Sequence, residues 1–206
     1  MIRRILLFGL LLVVAQSSSA QSGLLKTDEF HFVSLEGNLV GDSPKRSILV
    51  YLPPGYERLK KMRYPVVYLL HGFNGFGVGN KSWMRQGGNF NVETISRLIT
   101  ELKISPMIIV MPDGSNRYGG SLYTNSITTG NWEDYIVRDL VAFIDKNYRT
   151  LARAESRGIA GHSMGGYGAL KIAMKHPDVF AAVYGTSSCC LTYMPAGCHL
   201  AIADRG

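Results

Sequence analysis

Four short apolar runs, at residues 65–70, 107–111, 158–160 and 181–184, are separated by segments with helical periodicity. That alternation limits the fold more than any other feature of the chain. A run without polar alternation reads as a strand covered on both faces, and helices between successive runs imply βαβ crossovers and a parallel sheet. The helix-like segments are 92–102, 132–147 and 165–175. In the second of these, Tyr135, Ile136, Leu140, Phe143 and Ile144 share one apolar face, with Glu133, Asp134, Arg138, Asp139 and Lys146 elsewhere. Two strand-like stretches, 29–35 and 47–52, come first, and Pro53-Pro54-Gly55 turns the chain after the second. The expected fold class is α/β, a mostly parallel sheet with helices on both faces. No repeat or linker-like composition interrupts residues 24–188, so a single domain is expected over 21–206.

Residues 1–20 read as a secretory signal peptide. Arg3 and Arg4 precede an apolar run from residue 5 to 14, and Ser18 and Ala20 suit the small-residue positions of a cleavage site. The run is well short of the roughly 20 residues needed to cross a bilayer, so no stable membrane anchor is expected after cleavage and the protein is placed outside the cytoplasm, secreted or periplasmic. The formal net charge is +7, two units of it from Arg3 and Arg4. The remaining basic residues are scattered apart from Arg58, Lys60, Lys61 and Arg63, which suits a solvated turn and gives no reason to expect a nucleic-acid partner. Cys189, Cys190 and Cys198 all lie near the end of the chain, where one disulfide is possible and the spacing does not suggest zinc or another metal.

The most specific motif is Gly161-His162-Ser163-Met164-Gly165, placed between a buried strand and a helix. In that context Ser163 is the candidate nucleophile, and Gly161, His162 and Gly165 complete the sharp turn that presents it. Glycines flank the serine because side chains there would collide with neighbouring backbone. The helix that follows points its first N–H groups toward the reacting oxygen. His71-Gly72-Phe73 directly follows another apolar run, where the backbone N–H of Phe73 can join that of Met164 as an oxyanion hole. The bland alternative is that His71-Gly72 only turns the chain.

Residues 50–56, His71-Gly72-Phe73, residues 111–114, residues 131–135 and residues 161–166 occur in this order across about residues 27–188. Together they resemble the esterase family of the α/β-hydrolase superfamily that includes esterase D (S-formylglutathione hydrolase), feruloyl and acetyl-xylan esterases and the antigen 85 mycolyltransferases. The resemblance implies an α/β-hydrolase sheet and hydrolysis or transfer of an acyl group through an acyl-Ser163 intermediate. It also implies a small-molecule or carbohydrate ester as substrate, and no metal or organic cofactor. Members of the family carry a triad acid and then a histidine beyond the strand at 181–188, whereas this sequence ends at Gly206. His199 and Asp204 stand in the reverse order. The expectation is therefore a C-terminally truncated domain, incomplete at that edge of the sheet and impaired for want of a base.

Other residues carry a structural and a functional reading side by side. His176-Pro177 suits the end of a helix, Asp113 a turn and Trp132 the core. Tyr118 and Tyr123, in a polar loop at 118–131, are candidate substrate-loop residues or parts of an ordinary loop. Residues 75–82 miss a phosphate-binding loop because Asn80 stands where a glycine is needed. The rival to an esterase is an exported protein that binds an ester without cleaving it.

Overall fold

A computed structural model of the chain describes residues 22–73 and 91–191. The expected signal peptide at 1–20, the near-match at 75–82, and Cys198, His199 and Asp204 lie outside the described residues. Among the described residues no helix is long and apolar enough to cross a membrane.

Six strands form one sheet in the spatial order β1-β2-β4-β3-β7-β8. They are β1 (Leu24–His31), β2 (Lys45–Leu52), β3 (Val66–Leu70), β4 (Ile108–Pro112), β7 (Arg157–His162) and β8 (Ala182–Thr186). β1 pairs antiparallel with β2, and β2 antiparallel with β4; β4, β3, β7 and β8 are parallel neighbours. The short strands β5 (Asn125–Ser126) and β6 (Gly130–Asn131) form a separate ribbon. Strand edges differ from the expectation most in the first strand, which begins at Leu24. The first strand ends at His31, and Val33–Leu35 is a single turn of 3₁₀-helix that sends Leu35 into the core.

Alternation along each central strand explains why the runs are apolar without interruption. Ile48, Val50, Leu52, Val66, Tyr68, Leu70, Ile108 and Val110 belong to one core, packed with Trp132, Tyr135, Ile136, Leu140 and Ile144 and with Ile172. Leu49, Tyr51, Ile109 and Met111 face the other way and meet Ile99 of helix α1 (Val92–Thr100). Both faces are covered, so both phases of the two-residue period must be apolar.

Residues 132–147 form one helical rod in three parts: α2 (Trp132–Asp134), a π-helical stretch (Tyr135–Leu140) and α3 (Val141–Asn147). Trp132, Ile136, Val137 and Val141 of this rod all belong to the main core. All four are buried. The N–H groups of Glu133 and Asp134 are capped by Oδ1 of Asn125, at 2.9 and 3.1 Å.

Glu133 departs from its expected place on the polar side of this rod, since only 4 % of it is exposed. The carboxylate meets three nitrogen partners from α4 (Met164–Lys175) and the residue after it: Lys175 at 2.6 Å, His176 at 2.9 Å and Lys171 at 3.3 Å. Burial alone would raise its pKa, but these partners together hold it down at about 2. The network ties the start of the rod to the end of α4.

β8 also departs from the expectation of a strand buried on both faces. Val183 is 44 % exposed and Tyr184 68 %, because β8 pairs with β7 alone among the described strands.

The Glu133 network sets the acid limb of stability. Its folded-state pKa is depressed, so its contribution is complete above about pH 4.5 and is lost as pH falls toward about 2. Glu133→Ala is expected to lower unfolding free energy by about 3 kcal/mol at pH 7, leaving Lys171 and Lys175 without their counter-charge. Denaturant melts of both proteins from pH 7 to pH 2 check this: the gap between them should narrow through that acid range. A gap that stays constant would show that Glu133 contributes through packing alone.

Candidate active site

The C-terminal ends of the parallel strands align, with Leu70 opposite Gly161, Gly161 opposite Gly185 and His162 opposite Thr186. In open α/β sheets the crevice beyond these ends is where ligands bind. Four turns converge there: His71-Gly72-Phe73 after β3, Asp113-Gly114 after β4, Ser163 after β7 and residues 187–190 after β8.

Ser163 sits between the last residue of β7 and the first of α4, with φ 54° and ψ −118°. A non-glycine residue in such a region costs on the order of 1–3 kcal/mol and persists only where its surroundings enforce it. Here the backbone is bonded on both sides. The Ser163 N–H donates to the Thr186 carbonyl at 3.0 Å, and its carbonyl accepts from Tyr167 N–H at 3.0 Å and Cys189 N–H at 3.3 Å. The side chain is half-buried.

The flanking glycines are required by contact distance. A Cβ on Gly161 would lie 2.2 Å from the Gly165 carbonyl oxygen, and one on Gly165 would lie 2.1 Å from the Leu70 carbonyl oxygen. Both clashes are with backbone, which cannot swing away. The first turn of α4 is thereby seated on the end of β3, and the loop leaving β3 is carried to Ser163: a Cβ on Gly72 would lie 3.4 Å from the Ser163 Cβ and 3.7 Å from His162 Nδ1. Met164 is fully buried at the start of α4, where helix geometry leaves the first N–H groups without partners inside the helix.

His71 is 2 % exposed and locked at both ring nitrogens. Nδ1 donates to the Gly72 carbonyl at 2.8 Å, and Nε2 accepts from the Gly114 N–H at 2.8 Å. Only the neutral ring with its proton on Nδ1 satisfies both bonds. Burial lowers its pKa in the same sense, outweighing the Gly72 carbonyl and Asp113, 3.8 Å from Nε2. His71 thus braces the loop that carries Phe73 and turns no free nitrogen toward Ser163. Asp113 keeps a turn, accepting from Ser115 N–H at 3.0 Å, and also lies 3.7 Å from Arg46.

The loop after β4 crosses this turn. A Cβ on Gly120 would meet Met164 Sδ at 2.3 Å and Phe73 Cδ2 at 2.9 Å, so Phe73, Met164 and Gly120 share one contact. The Leu122 N–H lies 3.4 Å from Met164 Sδ. Phe73 is 39 % exposed and Tyr118 57 %.

Tyr123 requires a correction as a substrate-loop residue. It is fully buried, its hydroxyl donates to the His71 carbonyl at 3.1 Å, and its ring fills the space left by Gly114 and Gly168. It supports the His71 loop from within and lines no open crevice. Two contributors were not anticipated from the motifs: Gly120, which admits the crossing loop, and Cys189, which bonds Ser163. The Gly119-Gly120 pair was a visible signal for the first. The second depends on the turn after β8, which no sequence pattern announced.

Gly165→Ala is expected to lower unfolding free energy by about 2–3 kcal/mol, since the new methyl group must displace the Leu70 carbonyl. Chemical denaturation of the two proteins checks it. Equal midpoints would show that α4 is free to lift from β3.

A family model described as "Putative esterase" matches residues 43–194. Among curated proteins, the chain is 34% identical over 157 residues to Esterase Rv1288 of Mycobacterium tuberculosis, covering 73% of this chain and 30% of that protein. It is 38% identical over 136 residues to an endo-1,4-beta-xylanase/feruloyl esterase of Xylanibacter ruminicola, covering 64% of this chain and 18% of that one. Among solved structures, a ferulic acid esterase superposes with a TM-score of 0.68 at 31% identity, over 81% of this chain and 60% of its own. An S-formylglutathione hydrolase from Agrobacterium tumefaciens, at 23% identity, shares the fold with a TM-score of 0.60, over 82% of this chain and 60% of its own. The chain thus spans less than two thirds of the length of these relatives. With the family model matched across most of the chain, the chain belongs to the esterase family so described.

Proposed function

We propose that the protein is an exported serine esterase that cleaves or transfers the acyl group of a carboxylic ester through an acyl-Ser163 intermediate. The observation that carries this reading is the enforced conformation of Ser163, strained in φ and pinned between β7 and α4. In the proposed step the Ser163 Oγ attacks the ester carbonyl, and the carbonyl oxygen becomes anionic. The N–H groups of Phe73 and Met164 receive that charge, each such donor being worth about 3–4 kcal/mol. The alkoxide leaves as the alcohol, taking up the equivalent of the proton that Ser163 gave up, and the acyl-serine that remains is released by water or another alcohol.

Three further points support the reading. Three of the four relatives named above are called esterases and the fourth a hydrolase. Phe73 and Tyr118 present aromatic surface, which suits an ester with an aromatic or sugar-like portion. The Arg3-Arg4 start and the apolar run behind it support export. His71 is committed to Gly72 and Gly114, so the proton of Ser163 must go to another group.

A fluorophosphonate probe and a p-nitrophenyl ester assay test the proposal together. The folded protein is expected to take up one probe per chain at Ser163. Ser163→Ala should lose that label and at least about a thousandfold in ester turnover. A folded sample that neither labels nor turns over the ester, yet binds it, would establish the non-catalytic binding reading instead.

A further inference from the structure

The turn that follows β8 brings two thiols together beside Ser163. Cys189 and Cys190 are both free and half-buried, with their Sγ atoms 3.0 Å apart. Neighbouring side chains in an extended strand point to opposite faces, so adjacent cysteines ordinarily hold their sulfurs apart. Here the backbone leaves the extended form. Ser187 has φ 46° and Cys190 φ 61°, both in the left-handed region that non-glycine residues enter at a cost. Cys189 is also held by its N–H bond to the Ser163 carbonyl and packs against the main core. Its position is therefore fixed by the same residue whose conformation defines the candidate active site.

We propose that Cys189 and Cys190 form a redox pair that closes to a vicinal disulfide by exchange with a small-molecule disulfide and reopens with a thiol reductant. The chemistry balances without a metal or flavin. The Cys190 thiolate attacks one sulfur of a reagent such as oxidised glutathione, forming a mixed disulfide and releasing one glutathione thiol. The Cys189 sulfur, giving its proton to solvent, then attacks the Cys190 sulfur and expels the second glutathione thiol. Two protein thiols are oxidised and one reagent disulfide is reduced to two thiols. Burial and the neighbouring Cys190 push the Cys189 thiol up to about 11, so it is mostly protonated at neutral pH and its intramolecular attack is the slower of the two steps.

Adjacency also decides how durable the bond is. Consecutive Cα atoms are about 3.8 Å apart, well inside the roughly 5.5 Å that disulfides favour, so the closed ring is strained and readily reduced. It acts as a reversible modification, not as a staple. Closing it constrains the turn whose Cys189 N–H is bonded to the Ser163 carbonyl.

The wild-type chain is suited to the test, because Met174 and Met194 bracket the pair and exclude Cys198. The folded protein is incubated with oxidised glutathione, its remaining thiols are alkylated, and it is cleaved with cyanogen bromide. The expected fragment spanning residues 175–194 carries no alkyl group and is about 2 Da lighter than its dithiol form. Prior treatment with dithiothreitol should return two alkylated thiols. Two alkylated thiols without the reductant, glutathione retained on either cysteine, or a fragment still linked to the one containing Cys198 would each overturn the proposal. Because the readout is a mass, it decides the question whether or not Ser163 proves to be a nucleophile.

Discussion

The close seating of α4 on the end of β3 is the constraint on which the rest of the site depends. Gly165 lies so near the Leu70 carbonyl that no side chain fits, and Gly161 is equally tight against Gly165. Backbone packed against backbone leaves no rotamer to relax, so the turn between β7 and α4 has one geometry available. Ser163 takes a positive φ because the chain has no other way to leave the strand and enter the helix in that space. The same contact brings Gly72 against Ser163 and so places the loop after β3 at the candidate nucleophile.

Polar ties then hold what packing has brought together. His71 links its own loop to the turn after β4 through the Gly114 N–H, and Tyr123 reaches the His71 carbonyl from the crossing loop. At the far end of α4, Glu133 gathers Lys171, Lys175 and His176, so the helix is fixed to the Trp132–Asn147 rod as well as to the sheet. The helix behind Ser163 is therefore anchored at both ends by different physics: steric exclusion at one and buried charge at the other.

Much of this was legible in the sequence where a short pattern maps onto a local rule. The apolar runs located β3 and β4 because strands covered on both faces leave no room for polar alternation, and a similar run marked β8 although its side chains are exposed. The Gly161–Gly165 motif located the turn because its glycines answer a purely local clash. Legibility failed where the deciding contact is distant. Glu133 looks solvent-facing by its place on the rod, and only Lys171 and Lys175 of α4 with the adjacent His176, some forty residues on, make its burial tolerable. Tyr123 sits in a stretch rich in polar and small residues, and its burial follows from the hollows at Gly114 and Gly168, which no periodicity reveals. The 3₁₀ turn at Val33–Leu35 was read as strand because its residues favour extended backbone, while packing of Leu35 into the core bends it.

The locked ring of His71 has a consequence for how acidity can act on this protein. A histidine near a candidate active site invites the assumption that it titrates near neutrality, but adding a second proton here would set a donor against the Gly114 N–H inside a dry core. The loop that presents Phe73 is thus insulated from ordinary changes of pH. Any sensitivity to acid between neutrality and the unfolding range must enter through groups other than this imidazole, and the scaffold around Ser163 keeps its shape while they change charge.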